Sequence, residues 1–274
     1  MTSQVYSNSI APPLVTPESI VAVVKTGGNL SQHDFYQFNL QGLDLSRGIF
    51  SQATLVRANL QGTQLQEVDL RQSDLRAANL RQAALLHANL QGACLYRADL
   101  SGADLSGADL TDAQLKGARY DSQTIFPDGF AYKSSGAIGP GASLNGAALN
   151  TANLRHADLQ GANLLGAYLG GADLTGADLR GARLVQADLR RAILTGALLR
   201  NTRMNRANLA GVDLRATDLT DMAFEQFESI AGADFTLAQG LTDEMRSRLL
   251  SHPADQLETI HALTRKTTRE SLNR

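Results

Sequence analysis

Large apolar side chains recur in this chain with a period of five residues, and polar side chains fill the positions between them. The apolar residue, almost always leucine, stands at every fifth position from Leu30 to Tyr120 and again from Leu144 to Phe224. Five residues turn an α-helix by about 140°, so these leucines would wind around a helix instead of forming one stripe. On a strand, an odd spacing would put successive leucines on opposite faces. The pattern therefore predicts a chain that bends once in every pentad and coils with its leucines facing the axis.

The other positions of the pentad predict a narrow, tightly turned coil. Alanine usually stands two residues before the leucine, as in the unbroken series from Ala142 to Ala197. A small residue at a fixed place indicates little room around it. Asp or Asn usually stands just before the leucine, where a short side chain bonds to nearby backbone and stabilises a turn. Glycine is frequent two residues after the leucine, where the backbone must bend.

The repeated motif resembles that of a known family. The run Ala-Asp-Leu-Ser-Gly-Ala-Asp-Leu at residues 103–110 is similar to the Ala-(Asp/Asn)-Leu-X-X motif of the pentapeptide-repeat family, which is common in cyanobacteria. The resemblance implies an all-β solenoid, a right-handed quadrilateral β-helix with four pentads per coil and one pentad per side. The two blocks would then make about nine coils in a solenoid whose neighbouring coils contact each other. Most members of this family lack an assigned activity.

The N-terminal part, residues 1–28, is expected to be a lead followed by a capping helix. The lead extends to about residue 15, and Thr16 is a suitable N-cap for a helix with Pro17 at its first position. The pair Gly27 and Gly28 is expected to end this helix. The helix is too short to be stable alone, so we expect it to cover the open edge of the first coil. The first repeat block then occupies residues 29–120.

The segment 121–141 interrupts the repeats. Its Pro and Gly residues and its aromatic side chains, Phe126, Phe130 and Tyr132, indicate a loop with a small apolar anchor. The second block, 142–224, stands one residue out of phase with the first. We interpret the chain as one solenoid with a protruding loop rather than two separate solenoids. The three aromatics are a candidate contact for a partner, although such side chains usually fix a loop to its scaffold.

The period fails after Phe224, and residues 225–274 are expected to form a C-terminal helical cap and a basic tail. A first helix is expected to open at Thr242 or Asp243. A second helix is expected after Pro253, with apolar or partly apolar side chains at helical spacing: Leu257, Ile260, His261 and Leu263. The basic end of the chain is expected to fray. The terminal helices either cap the coil or form a homodimer, and apolar spacing alone does not choose between these roles.

Composition excludes several classes of protein. The net charge is −2 and the isoelectric point is about 6.2, so no strong overall field draws the chain to nucleic acid or a membrane. No apolar run is long enough to span a bilayer, and Met1–Pro13 lacks a secretory signal pattern, so we expect a cytoplasmic protein without membrane contact. The lone Cys94 excludes an intrachain disulfide.

No catalytic, cofactor-binding or metal site is predicted. The five histidines have no spacing typical of metal ligands, and no phosphate-binding loop occurs. The glycine-rich stretches follow the pentad and belong to its turns. These observations favour a non-enzymatic protein without a cofactor.

Two functions remain: a protein–protein interaction scaffold or regulator that presents rigid β-helix faces, and a DNA-mimicking modulator of a topoisomerase such as gyrase, as in some relatives. Mimicry needs many outward carboxylates, but most acids of the repeats occupy the turn position before the leucine. The exceptions are Glu67, Asp112 and Asp221. The scaffold is therefore the favoured function.

The arginines of the second block are the candidate partner-binding face. With four pentads per coil, Arg180 would lie over Arg200 and Arg183 over Arg203. The whole set is Arg180, Arg183, Arg190, Arg191, Arg200, Arg203 and Arg206. A solvated face is the plainest interpretation, and a patch for an unidentified protein with an acidic surface is the functional one. Nucleic acid is disfavoured as a partner because aromatic stacking platforms are missing.

Overall fold

The computed structural model describes residues 16–273, so the expected N-terminal lead lies outside the described residues. The first helix, α1, spans Pro17–Lys25. The Thr16 hydroxyl oxygen accepts a hydrogen bond from the Ser19 backbone N–H at 3.3 Å, and the Ser19 hydroxyl oxygen accepts one from the Thr16 N–H. Gly27 follows the helix with φ +72°. The predicted helix is confirmed, including its N-cap, and its role as a cover for the first coil stays a prediction.

Parallel backbone bridges join most pentads to the pentad four further along, in both repeat blocks. Asn29 bridges to Ile49 in the first block, and Asp178 bridges to Leu198 in the second. Each bridge involves one residue of each pentad, and residues 16–273 contain no longer strand. One coil therefore takes four pentads, with one bridge on each side, as the resemblance implied.

The chain divides into two compact units, each with its own coils. The first comprises residues 16–98 with Ala103–Gln114 and Ile125–Asp128. The second comprises Asp99–Gly102, Leu115–Thr124 and the chain from Gly129 onward. In both units the central residue of the pentad is buried at every position named above, with the half-buried Leu149 as the exception. The predicted inward orientation of the leucines is confirmed.

The segment 121–141 carries part of the backbone ladder. Ile125 bridges to Asp104, which is one position more than four pentads away, and Ile138 bridges to Arg119, which is one position less. The pentad phase thus moves one residue later at Ile125 and two residues earlier by Ile138. The net change of one residue accounts for the phase shift between the two blocks. The only helical turn here is a short 3-10 turn at Tyr132–Ser134. That the two blocks form one solenoid stays a prediction.

The coils continue beyond Phe224, contrary to the expected end of the repeats. The last three parallel bridges each span one position more than four pentads: Asn208 to Ser229, Asp213 to Asp234, and Asp218 to Gln239. One extra residue after Phe224 shifts the phase and so hides the rhythm in the sequence. The non-repeat C-terminal segment therefore begins after Gln239 rather than at residue 225, and its role as a cap stays a prediction.

Helix α2 spans Asp243–Leu250, and its N-cap is Thr242, whose hydroxyl oxygen accepts a hydrogen bond from the Met245 N–H at 3.1 Å. This confirms the first predicted C-terminal helix. Helix α3, Ala254–Leu257, is a single turn, so the second predicted helix is much shorter than its apolar spacing indicated.

The rest of the predicted second helix is not helical. Ile260 forms an antiparallel bridge with Thr267, and the chain then enters α4, Thr268–Leu272. Thr267 and Glu270 form a capping box there. Because Thr268, Ser271 and Leu272 are buried, the expected frayed tail is wrong for the residues that the structure describes.

Candidate partner-binding surface

The Asp and Asn side chains before the leucines stabilise the turns, as predicted. The Asp178 carboxylate accepts a hydrogen bond from the Arg180 backbone N–H at 3.2 Å, and the Asp188 carboxylate accepts one from the Arg190 N–H at 3.1 Å. The same contact, two residues along the chain, recurs through both blocks. One carboxylate oxygen of these residues is thus committed to the local backbone.

Three arginines of the candidate face are paired with these carboxylates. Arg180 contacts Asp178 at 2.5 Å and Arg190 contacts Asp188 at 2.7 Å, so the sequence Asp-Leu-Arg closes an ion pair over the turn. Arg200 contacts Asp218, on the following coil, at 2.5 Å. Exposed pairs of this kind contribute little stability, but they cancel charge locally. The three are therefore poor candidates for an acidic partner.

The other four arginines, Arg183, Arg191, Arg203 and Arg206, are exposed and have no carboxylate within salt-bridge distance among residues 16–273. Arg183 and Arg203 are direct bridge partners on neighbouring coils. Like charges at a coil spacing of about 4.8 Å repel modestly in water. Three of the seven arginines of the predicted face are therefore paired with carboxylates and four are not. Among the four, Arg183 and Arg203 form a pair of adjacent positive charges on neighbouring coils.

A groove lies beside the Arg183–Arg203 pair, between the last coils and α2. Its volume is about 390 Å³. Its apolar lining includes Met222, Phe224 and Met245, and Arg203 forms part of one wall. Sequence reasoning missed this groove, because it depends on where α2 lies against the coil.

The loop aromatics are partly buried. The Tyr132 ring packs edge-on against Tyr120, with 5.4 Å between ring centroids, and the Tyr120 hydroxyl donates to the Pro140 carbonyl oxygen at 2.9 Å. Burial raises the pKa of Tyr120. These contacts favour an anchoring role for Tyr132. Phe126 and Phe130 are also half-buried, and their role as a partner contact stays a prediction.

The described part of the chain offers no group of three His, Cys, Asp or Glu side chains arranged to hold a metal ion. In the same range, no helix has the length and apolar character needed to cross a membrane.

The paired carboxylates are expected to make the stability of the folded chain depend on pH. The hydrogen bond from the Arg71 side chain lowers the pKa of Asp69, and that from Arg190 lowers the pKa of Asp188. A carboxyl whose pKa is lower in the folded state contributes stability above its unfolded pKa of about 4, and that stability is lost as pH falls through the folded value. We therefore expect the melting temperature to fall as the pH decreases from about 5 to about 2.

Thermal melts monitored by circular dichroism test this expectation. The matched variant is Asp188→Asn, because Asn keeps the turn-forming oxygen and removes the charge. Its melting temperature should depend less on pH than that of the wild type. A wild-type melting temperature that is level or rises across this range would contradict the role given to these pairs.

Comparison with known proteins gives one family. A family model described as pentapeptide repeats matches in eight copies, over residues 34–72, 53–92, 63–102, 85–119, 152–191 and 182–221. No curated protein matches the chain.

Several solved structures are similar to the chain. HetL, a pentapeptide repeat protein involved in heterocyst differentiation regulation from the cyanobacterium Nostoc sp. strain PCC 7120, is 23% identical, with 81% of this chain and 95% of HetL covered and a TM-score of 0.29. A pentapeptide repeat protein from the thylakoid lumen of Arabidopsis thaliana is 22% identical, with 85% of this chain and 88% of that protein covered and a TM-score of 0.21. QnrB1, a plasmid-mediated fluoroquinolone resistance protein, is 16% identical, with 81% of this chain and 96% of QnrB1 covered and a TM-score of 0.33.

Proposed function

The chain belongs to the pentapeptide-repeat family, and on that premise we propose that it is a non-enzymatic scaffold or regulator that binds an acidic protein partner on the side faces of its coils. Proteins of this family are right-handed quadrilateral β-helices, and we propose that form for each repeat block. The cytoplasmic location and a homodimer through a terminal cap stay predictions.

The observation that carries the proposal is the Arg183–Arg203 pair. Two uncompensated guanidinium groups project from neighbouring coils whose backbones are joined by hydrogen bonds, from the Leu184 N–H to the Arg203 carbonyl oxygen at 2.7 Å and from the Arg203 N–H to the Ala182 carbonyl oxygen at 3.0 Å. A carboxylate placed between the two cations would relieve their repulsion and bond to both. Because the backbone is already ordered, little of its conformational entropy would be lost on binding.

The ion pairs of five turns count against the topoisomerase-mimic alternative, whereas Asp34, Asp109 and Asp112 are exposed carboxylates without a described ion pair. A mimic of DNA needs unpaired outward carboxylates, whereas Asp69, Asp74, Asp178, Asp188 and Asp213 each bind the arginine two residues further on. Pairing reduces the negative field of the surface along these turns.

A pull-down from a lysate of the native host, with the tagged full chain as bait, tests the proposal. We expect Arg183→Glu/Arg203→Glu to reduce recovery of the bound partner by about tenfold or more, since two charge contacts would become repulsive. The matched control is Arg57→Glu/Arg97→Glu, which changes the net charge equally at two exposed arginines without a described ion pair.

Two results would reject the proposal. Equal recovery by the wild type and Arg183→Glu/Arg203→Glu would mean that the pair is a solvated face. Equal loss in both double variants would mean that net charge, rather than this site, attracts the protein. Circular dichroism melts of all three proteins establish that recovery is compared between folded chains.

A further inference from the structure

The groove beside the Arg183–Arg203 pair has an apolar floor in which Met245 is the most accessible side chain, because Phe224 faces the interior of the coil. Met222 and Phe224, from the coil that follows Arg203, are only 7% exposed, and Met245 on α2 is half-buried. Helix α2 is held against this coil by Arg248, whose guanidinium donates to the Phe224 carbonyl oxygen at 3.2 Å. Methionine side chains adapt their shape to different apolar ligands. The floor therefore suits a bulky apolar side chain of varied shape.

The charges around the groove are unequally distributed. Glu244 is paired with Arg248 at 2.7 Å, so these two cancel. Glu225 lies next to Asn205, with 3.5 Å between the Asn205 amide nitrogen and a Glu225 carboxylate oxygen. Arg203 has no carboxylate partner in the described range, and Arg183 is its bridge partner on the preceding coil. Glu225 is a lining carboxylate without a described cation partner, so the excess of positive charge lies in the Arg183–Arg203 column at the side of the groove rather than in the groove as a whole.

We propose that this groove binds a short peptide segment of the partner in which a bulky apolar side chain stands next to carboxylates. The apolar side chain occupies the floor formed by Met222, Phe224 and Met245, and the carboxylates bind Arg203 and Arg183. The groove volume of about 390 Å³ is at the lower end of the roughly 300–1,000 Å³ typical of ligand pockets, which suits one or two side chains. This inference rests on the proposed function and adds the chemistry of the segment that is recognised.

Selection of random short peptides on the immobilised full chain identifies the preferred segment. We expect enrichment of peptides that carry Leu, Ile, Met or Phe within two positions of Asp or Glu. One enriched peptide, labelled with fluorescein, then serves as the probe for fluorescence polarisation. Enrichment of peptides without this pairing would overturn the proposal.

Two pairs of variants test the two parts of the groove. Met245→Asp puts a charge on the apolar floor, and its control is Leu250→Asp on the same helix, where the replaced side chain is 38% exposed and outside the groove. Arg203→Gln removes the cation, and its control is Arg57→Gln, at an exposed arginine of the first repeat block that lies outside the candidate face. We expect about tenfold weaker binding of the probe for Met245→Asp and Arg203→Gln, and little change for the controls.

The outcomes separate this inference from the proposed function. Unchanged probe affinity of Met245→Asp rejects the groove, even if Arg183→Glu/Arg203→Glu still loses the partner in the pull-down, in which case the proposed function stands. Unchanged partner recovery by Arg183→Glu/Arg203→Glu rejects both. Competition of duplex DNA for the probe at equal concentration would also overturn the inference, because the site would then recognise negative charge alone.

Discussion

Leu199→Asp is expected to unfold the coils around residue 199, whereas Leu198→Asp is expected to leave the melting temperature nearly unchanged. Leu199 is 0% exposed and its backbone N–H is bonded to the Asp218 carbonyl oxygen. A carboxylate there has no partner, and an unpaired buried charge costs about 4 kcal/mol or more. Because the stability of a solenoid depends on contacts between neighbouring repeats, the loss spreads to the adjacent coils.

Leu198 stands in the turn position that Asp occupies in both neighbouring coils. Its bridge partners are Asp178 and Asp218, and its side chain is 37% exposed. An aspartate at 198 could accept a hydrogen bond from the Arg200 backbone N–H, as Asp178 does from Arg180. The same substitution one residue apart therefore separates the interior from the surface of the coil.

Thermal and urea unfolding, followed by circular dichroism, give the comparison. Leu199→Ala provides a measurable midpoint if Leu199→Asp does not fold, and we expect it to cost about 2–5 kcal/mol through the cavity it leaves. Similar losses in Leu198→Asp and Leu199→Asp would contradict the inward orientation of the leucines.

The coil was predictable because neither a helix nor a strand accommodates a period of five. The continuation of the coil past Phe224 was not predictable, because a single inserted residue shifts the period and so resembles the end of the repeats. Phe224 stacks on Phe227, with 4.5 Å between ring centroids, and Ile230 then takes the next central position. The core stays filled across the insertion, which a strict count of five cannot detect.

The candidate face was only partly predictable. The local sequence Asp-Leu-Arg predicts the ion pairs of Arg180 and Arg190, because the Asp and the Arg of each pair lie in the same turn. The pairing of Arg200 depends on Asp218 in the following coil and requires the register of the bridges. The groove depends in addition on α2, whose position no periodicity of the sequence encodes.

Gly240→Ala is expected to destabilise the C-terminal coil far more than Gly181→Ala. Both glycines have positive φ, +76° and +68°. A left-handed conformation costs a non-glycine residue about 1–2 kcal/mol, and Arg191 adopts it in this chain with φ +59°. A Cβ at Gly181 would meet nothing within 4 Å, so Gly181→Ala has only this conformational cost.

At Gly240 the added carbon would lie 2.5 Å from the Thr220 backbone nitrogen and 2.6 Å from its Cα. No side-chain rotation relieves a clash with backbone, so the chain must move between Gln239, which bridges to Asp218, and the start of α2. We expect a cost of about 3 kcal/mol or more in urea unfolding, compared with about 1–2 kcal/mol for Gly181→Ala.

The same displacement should reach the groove, because α2 supplies Met245 to its floor. Under native conditions Gly240→Ala is therefore expected to bind the peptide probe more weakly, with Gly181→Ala unchanged. Equal unfolding midpoints for the two variants would contradict the close approach of Gly240 to Thr220. Loss of stability without loss of probe binding would show that the groove does not require this position of α2, and the apolar floor proposed for the ligand would have to exclude Met245.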